Sequence, residues 1–294
     1  MKVRANGLMI EVDDQGPRDA PVVLLVMGLG MQLTGWPDEF VALLLARGFR
    51  VIRFDNRDAG LSQGFDAAGV PSIPLAALRH FMRLPVRSPY SVADMAEDAR
   101  GVLDALLIPR AHVCGASLGG MIAQHLAARH PERIASLTLM MTMAGSRRMP
   151  GPTARARRAL LSRPANGAID TLVDHSVNVF TTIGSPGFRP DQVLMRERVA
   201  ASFARAFRPA GSARQLLAIA ADGDRTPLLA RIHAPTQVIH GIDDPLIPVD
   251  NGRDLLRHIA GAEGDFVDGM GHDLPQALLP RFVDRIQATA GRAR

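Results

Sequence analysis

The sequence predicts an α/β fold in which a mostly parallel sheet carries helices on both faces. Two observations support this prediction, and a third marks where the pattern changes. Continuous apolar runs such as VVLLVMG at 22–28 are typical of strands buried on both faces. Segments with helical spacing of apolar residues follow these runs in alternation. Region 146–231 then interrupts the alternation with arginine-rich, largely helical sequence that contains no buried-type strand.

The first part of the chain begins this alternation. Two short segments at the start, KVRANG and LMIEVDD, are expected to form an antiparallel hairpin at one edge of the sheet. After the strand at 22–28, a helix begins at Pro37 and ends near Gly48, positions where proline and glycine are favoured. The next predicted strand covers 49–55.

The alternation continues with a helix over SVADMAEDARGVLDALL, for which Ser91 is the expected N-cap. A strand at 111–116 leads into a helix that stops before Pro131. The remaining predicted strands lie at 134–142, 236–241 and 264–269.

Composition indicates an ordinary globular protein, and the length of 294 residues permits one large domain or two modest ones. The N-terminal residues lack the apolar segment of a signal peptide. The longest apolar run, at 22–31, is about half of the ~20 residues that a membrane-spanning helix needs. A single cysteine, Cys114, excludes an intramolecular disulfide. We therefore expect a cytoplasmic protein without a membrane span, and its oligomeric state stays open.

The net charge of +5 raises the question of a nucleic-acid partner. Arginines alternate with acids over most of the chain, however. The one local excess, at 147–164, has no interleaved aromatic residues to stack on bases. No His, Asp and Glu cluster has the spacing of metal ligands. We therefore expect no nucleic-acid partner, no metal and no cofactor.

The stretch HVCGASLGGM places Ser117 where a buried strand meets a helix. Gly115 and Gly119 stand two residues before and after it, where side chains in a sharp strand-to-helix turn would collide with the backbone. Such a turn projects the serine beyond the carboxyl end of the strand, and the helix start directs N–H groups to the same point. Ser117 is therefore a candidate nucleophile, and the N–H of Leu118 is a candidate oxyanion donor.

A serine nucleophile needs a base, and the base needs an orienting acid. Of nine histidines, His272 in DGMGHDLP lies just beyond a late strand among small and turn-forming residues. The segment VIHGIDDPLIP supplies Asp243 and Asp244 directly after another buried strand, and the order serine, aspartate, histidine suits this type of triad. The residues alone leave both aspartates open, because either one could only shape the turn before Pro245.

These motifs resemble those of the α/β-hydrolase superfamily. GASLGG, GIDDPLIP and GMGHDLP look like its nucleophile, acid and histidine motifs, and RFDNRDAGLS at 53–62 resembles the loop after the fourth strand in many of its esterases. MGLG…GWPDEF further resembles the aclacinomycin methylesterase subgroup and its bacterial carboxylesterase relatives. The resemblance implies a hydrolase core at 1–145 and 232–294, and it implies that 146–231 is a helical cap.

The resemblance also assigns finer roles. The family pattern G-x-x-D-x-x-x-P, read from Gly241 to Pro248, puts the acid at Asp244. It implies that the N–H of Leu29 is the second oxyanion donor. Many relatives carry His-Gly where this chain has Met27-Gly28. Because the donor is a backbone N–H, oxyanion binding does not require the missing histidine.

The expected reaction is hydrolysis of small-to-medium uncharged carboxylic esters through an acyl-enzyme. Met27, Met31, Trp36 and Met121 lie next to the catalytic loops and are candidates for an apolar substrate pocket, as is Phe180 in the cap; each could instead belong to the core.

Alternative activities stay open at this point. The same triad could cleave lactones, amides or carbon–carbon bonds, and a non-catalytic binding protein is a further alternative. A dinucleotide site at MGLGMQLTG is disfavoured because Leu33 stands where the third glycine belongs.

Overall fold

The computed structural model describes residues 1–293. Its central element is an eight-stranded sheet. Its spatial order is β1-β2-β4-β3-β5-β6-β7-β8, and all neighbours from β4 to β8 are parallel. β1 and β2 form the expected antiparallel hairpin at one edge. The strands are β1 (Lys2–Ala5), β2 (Leu8–Gln15), β3 (Val22–Val26), β4 (Arg50–Phe54), β5 (Ala111–Ala116), β6 (Ile134–Met140), β7 (Thr236–Gly241) and β8 (Glu263–Val267).

Helices connect the strands and cover both faces of the sheet, so the predicted α/β fold is confirmed. They are α1 (Asp38–Ala46), α2 (Ile73–Phe81), α3 (Val92–Ala105), α4 (Leu118–Arg129), α5 (Ala154–Leu161), α6 (Ile169–Ile183), α7 (Gln192–Arg205), α8 (Pro209–Asp222), α9 (Thr226–Leu229), α10 (Asp250–His258) and α11 (Leu279–Gly291).

The central strand β3 shows why the apolar runs are continuous. Leu24 and Val26 belong to the hydrophobic core on the α3 and α4 side of the sheet, whereas Val23 and Leu25 belong to the core on the α1 and α11 side. All four side chains are fully buried. Because successive residues of a strand point to opposite faces, a strand covered on both faces needs an apolar residue at every position.

Local capping supports the predicted helix boundaries. The Ser91 hydroxyl accepts a hydrogen bond from the Asp94 N–H at 3.0 Å, and the Asp94 carboxylate accepts one from the Ser91 N–H at 2.8 Å. This reciprocal arrangement satisfies two N–H groups that the first turn of α3 would otherwise leave unpaired.

Helix α2 is one of the helices that the sequence analysis did not predict, together with α10 and α11. Its neighbourhood contains prolines at 71, 74, 85 and 89, which suggest a loop. Pro74 nevertheless lies in the first turn of the helix, where the absence of an N–H has no cost.

Between β6 and β7 the described chain forms the helices α5 to α9 and no strand. The division into a core and a cap over 146–231 stays a prediction, and we call this segment the 146–231 insertion.

Candidate active site

Ser117 occupies a strained turn between β5 and α4. Its backbone has φ 54° and ψ −119°, a conformation that residues with a side chain rarely adopt. The Ser117 N–H donates to the Met140 carbonyl at 3.0 Å, and the Thr142 hydroxyl donates to the Ser117 carbonyl at 2.7 Å. These bonds to the next parallel strand and its extension hold the turn in place.

Close backbone contacts require glycine at two positions beside Ser117, and Gly28 gives further room to the serine side chain. A Cβ on Gly119 would overlap the Val26 carbonyl, and one on Gly115 would overlap the Gly119 carbonyl. A Cβ on Gly28, just beyond β3, would lie 3.3 Å from the Ser117 Cβ. Glycine at these three positions therefore lets β3, β5 and α4 converge on the serine.

Three side chains form a continuous hydrogen-bonded series at the carboxyl edge of the sheet. Nε2 of His272 lies 3.1 Å from Oγ of Ser117, and Nδ1 of His272 lies 2.7 Å from Oδ2 of Asp244. A carboxylate only accepts, so Nδ1 carries the proton and Nε2 is left to accept the serine proton. The other oxygen of Asp244 accepts from the N–H groups of Leu246 and Ile247 at 2.9 and 2.8 Å.

The two consecutive aspartates have different contacts. Asp244 is buried and contacts His272, whereas Oδ2 of Asp243 accepts from the Gly269 N–H at 2.8 Å and so shapes the turn after β8. His240 lies 3.6 Å from Asp244 but donates from the same Nε2 to the Ile247 carbonyl at 2.7 Å. Burial lowers the pKa of His240, which favours its neutral form.

The loop after β3, which carries Leu29, is held by long-range hydrogen bonds. The Gly30 N–H donates to the side-chain oxygen of Gln215 at 2.8 Å, and the Gln215 amide donates to the Arg57 carbonyl at 2.7 Å. Asn56 donates to the Met27 carbonyl at 2.9 Å. No motif marked Gln215, which is 185 residues away along the chain and lies on α8.

The loop that carries His272, residues 268–275, is called the histidine loop below. It is hydrogen-bonded to a turn of the 146–231 insertion, residues 183–188. The His272 N–H donates to the Ile183 carbonyl at 2.8 Å, and the Gly271 N–H donates to the Ser185 hydroxyl at 2.8 Å. The Ser185 hydroxyl in turn donates to Asp273. Burial raises the pKa of Asp273, although hydrogen bonds from the Ser185 hydroxyl and from the Ser185 backbone act in the opposite direction. The sequence analysis missed this contact, because Ser185 and Asp273 belong to no shared motif.

Glycines bring the same two segments into direct backbone contact. A Cβ on Gly271 would overlap the Gly184 backbone, and one on Gly187 would lie 2.9 Å from the Gly269 Cα. The Gly187 N–H also donates to the Gly269 carbonyl at 2.9 Å. The 183–188 turn therefore packs on the histidine loop without intervening side chains.

The pocket candidates fall into two groups. Trp36 and Met121 are 0 and 2% exposed and lie in the two hydrophobic cores, Trp36 stacked on Phe40. Apolar residues that flank the catalytic loops thus also pack the sheet, and the pocket role of these two stays a prediction. Met27 is nearly as buried, in the same core as Trp36. Met31 and Phe180 are partly exposed, and their pocket role stays a prediction.

Within residues 1–293, no helix is long and apolar enough to cross a membrane, and no three His, Cys, Asp or Glu side chains are grouped as a metal site would require. Cys114 is fully buried, and burial raises the pKa of its thiol. Its thiolate is therefore disfavoured.

The sheet order and the serine turn define an α/β-hydrolase. Residues 21–274 match the model of the alpha/beta hydrolase fold family, so the chain belongs to that family and is a hydrolase. It is 33% identical over 283 residues to rhodomycin D methylesterase of Streptomyces sp. (strain C5), covering 89% of this chain and 88% of the relative.

Two further likenesses agree with this assignment. The rhodomycin D methylesterase of Streptomyces peucetius is 32% identical, covering 89% of this chain and 88% of the relative. The crystal structure of the enol-lactonase from Burkholderia xenovorans LB400 superposes with a TM-score of 0.75 at 25% identity, covering 99% of this chain and 100% of the other. The resemblance to esterases of this superfamily is confirmed.

Proposed function

We propose that this hydrolase cleaves carboxylic esters by acyl transfer through Ser117, His272 and Asp244. The observation that carries the proposal is the hydrogen-bonded series from the Asp244 carboxylate through the His272 ring to the Ser117 hydroxyl. The likeness to two methylesterases supports ester hydrolysis over amide or carbon–carbon cleavage.

The first half of the reaction forms an acyl-enzyme. Oγ of Ser117 attacks the ester carbonyl carbon while Nε2 of His272 takes the hydroxyl proton. Asp244 keeps the imidazole in the required tautomer and stabilises its positive charge. The N–H groups of Leu29 and Leu118 bind the oxyanion of the tetrahedral intermediate, and the intermediate collapses as His272 protonates the departing alcohol.

The second half returns the enzyme. Water attacks the acyl carbon while His272 takes one of its protons, and the second tetrahedral intermediate expels the Ser117 oxygen, which recovers a proton from His272. The products are a carboxylic acid and an alcohol, and none of these steps requires a metal or a cofactor.

The substrate class is a small-to-medium uncharged ester. The partly exposed apolar side chains Met31 and Phe180 favour an uncharged acyl or alcohol group. We assign the 146–231 insertion as a cap over the active site, since its 183–188 turn contacts the histidine loop and its Gln215 contacts the loop of Leu29.

The proposal is tested with Ser117→Ala and a series of p-nitrophenyl esters from acetate to palmitate. We expect the wild type to prefer the shorter esters and the variant to lose turnover, because the nucleophile is gone, while thermal unfolding stays cooperative. Undiminished turnover by the variant contradicts the role of Ser117. A strict preference for palmitate contradicts the substrate class, and a wild type that hydrolyses only an amide or a β-diketone contradicts the reaction.

A further inference from the structure

We propose that a basic and apolar surface around helix α2 docks this protein onto membranes that contain anionic lipid. We call it the α2 surface. Its apolar members are Val70, Leu75, Leu78, Phe81, Met82 and Leu84, and its basic members are Arg83, Arg87, Arg147 and Arg148. The proposal concerns where the protein resides and does not depend on the reaction at Ser117.

The apolar part of the α2 surface is centred on the helix itself. Leu75, Leu78 and Met82 follow helical spacing on one side of α2, and Phe81 beside them is 85% exposed. On the opposite side Ala76 is buried, and the helix packs against α8 of the insertion. The apolar members other than Phe81 are between 44 and 79% exposed. Single exposed apolar residues are ordinary, but a contiguous group marks an interaction surface.

The segments that form this surface carry basic but no acidic residues, and the exposed Asp66, shortly before Val70, is paired with Arg214. The sequence has no Asp or Glu between Asp66 and Asp94, and none between Glu132 and Asp170. The two acid-free segments meet where the Arg147 guanidinium donates to the His80 carbonyl at 3.4 Å.

Within residues 1–293 the arginines of the α2 surface have no carboxylate partner. Among the described residues none pairs with Arg83, Arg87, Arg147 or Arg148, although arginines elsewhere, such as Arg196 with Asp170 and Asp174, form ion pairs. Their charge is therefore available to a partner.

An anionic lipid surface fits both properties. Apolar side chains of an amphipathic helix enter the boundary between headgroups and acyl chains, while guanidinium groups bind the phosphates. A second copy of this chain is a poorer occupant, because two copies of the same basic surface repel each other. Nucleic acid is also a poorer occupant, because Phe81 is the only aromatic member available for stacking.

The test is co-sedimentation of the full chain with vesicles. We use vesicles of phosphatidylcholine alone and of phosphatidylcholine mixed with phosphatidylglycerol, at low and high NaCl. The wild type should bind the mixed vesicles, and salt should weaken binding by screening the arginines. The pairs Phe81→Asp with Met82→Asp, and Arg83→Glu with Arg87→Glu, should each lower the partition coefficient by about tenfold or more.

Control substitutions place the same new side chains, Asp and Glu, at an exposed apolar residue and at an arginine elsewhere. Leu107→Asp alters an exposed leucine in the turn after α3, and Arg4→Glu reverses an arginine on β1; both should bind like the wild type. Thermal unfolding verifies that each variant folds. The proposal is overturned if the wild type binds no vesicles, if it binds both compositions equally, or if the α2 variants instead abolish a wild-type dimer in size-exclusion chromatography.

Discussion

At the scale of single residues, the site distinguishes two adjacent carboxylates by what each of them contacts. Asp244 accepts from His272 with one oxygen and from two backbone N–H groups with the other. Asp243 accepts from the backbone of Gly269. The same residue type thus serves the imidazole at one position and the shape of a turn at the next.

This difference predicts unequal effects of the same substitution. Asp244→Asn should lower kcat by about 10⁴-fold, because the amide no longer holds the imidazole in the required tautomer. Asp243→Asn is the matched control. Its main effect should be a lower free energy of unfolding, with a smaller effect on kcat. Steady-state kinetics with p-nitrophenyl acetate and urea unfolding measure both effects. If Asp243→Asn loses activity while Asp244→Asn stays active, Asp243 is the carboxylate that orients His272.

At the same scale, sequence motifs predicted the candidate catalytic residues but not the residues that hold the catalytic loops in place. Ser117, Asp244 and His272 each follow a parallel strand of the sheet, so their strand ends meet at one edge and their motifs could be found locally. Gln215 could not be found in this way. It is a helical residue without a local pattern, and only the packing of α8 brings it to Gly30.

At the scale of elements, the contact between the 183–188 turn and the histidine loop links the insertion to His272. Ser185→Ala leaves the Gly271 N–H unpaired and removes a donor to the partly buried Asp273. We expect a loss of about 1–3 kcal/mol in the free energy of unfolding. We also expect a lower kcat and a displaced pH–rate profile, since the loop of His272 loses one of its attachments.

Ser176→Ala supplies the control for this prediction. Ser176 lies on α6, and its hydroxyl donates only to the Leu172 carbonyl of its own helix. Its removal should leave both kcat and the pH–rate profile unchanged. If the two serine variants have the same kinetics, Ser185 has a structural role alone.

Phe180 near the end of α6 predicts how the insertion affects selectivity. It is only partly buried, so Phe180→Ala should cost less than the 3–5 kcal/mol that is typical of a buried phenylalanine. If its ring faces substrate, the preference among p-nitrophenyl esters of different chain length should change. Unaltered preference together with a full core-type loss of stability would assign Phe180 to packing.

At the scale of the whole molecule, a buried ion pair fastens the insertion to the loop after β4. Arg214 on α8 makes two hydrogen bonds to Asp58, at 2.8 and 2.7 Å, and the Tyr90 hydroxyl donates to the same carboxylate at 2.8 Å. Burial would raise the pKa of Asp58, but the hydrogen bonds from Arg214, the Phe65 N–H and Tyr90 outweigh it and lower that pKa.

The direction of this shift predicts a loss of stability in acid. Because the pKa of Asp58 is lower in the folded than in the unfolded chain, its contribution is present above the ordinary aspartate pKa and is lost as pH falls through the folded value. Urea unfolding between neutral pH and about pH 3 should show this loss. Asp58→Asn should flatten the acid dependence and cost about 3–5 kcal/mol near neutral pH, since Arg214 loses its buried carboxylate partner and keeps only the exposed Asp66.

Asp19→Asn is the control, because Asp19 is exposed and its change should leave the curve in place. Equal acid dependence of the wild type and Asp58→Asn would assign the loss to other carboxylates.

The overall architecture was predictable, but the ion pairs that join its parts were not. Strands buried on both faces have a continuous apolar pattern, and the sheet followed from it. Arg57, Arg214 and their acidic partners look like solvated surface charges in a sequence where arginines alternate with acids. In the structure Arg57 and Arg214 are buried against Asp98 and Asp58, and this pairing depends on tertiary contacts.

The glycine contact between the 183–188 turn and the histidine loop decides how this protein can be recombined with its relatives. A chimaera that exchanged the whole 146–231 insertion would set a foreign turn against Gly269 and Gly271, which accept no additional side-chain atoms. Retaining 183–188 would leave the histidine loop with its native neighbour, and an exchange of the helices after Phe188 would also have to keep Arg214 and Gln215 for their partners Asp58 and Gly30. Crossover points should therefore follow this backbone contact rather than the ends of β6 and β7.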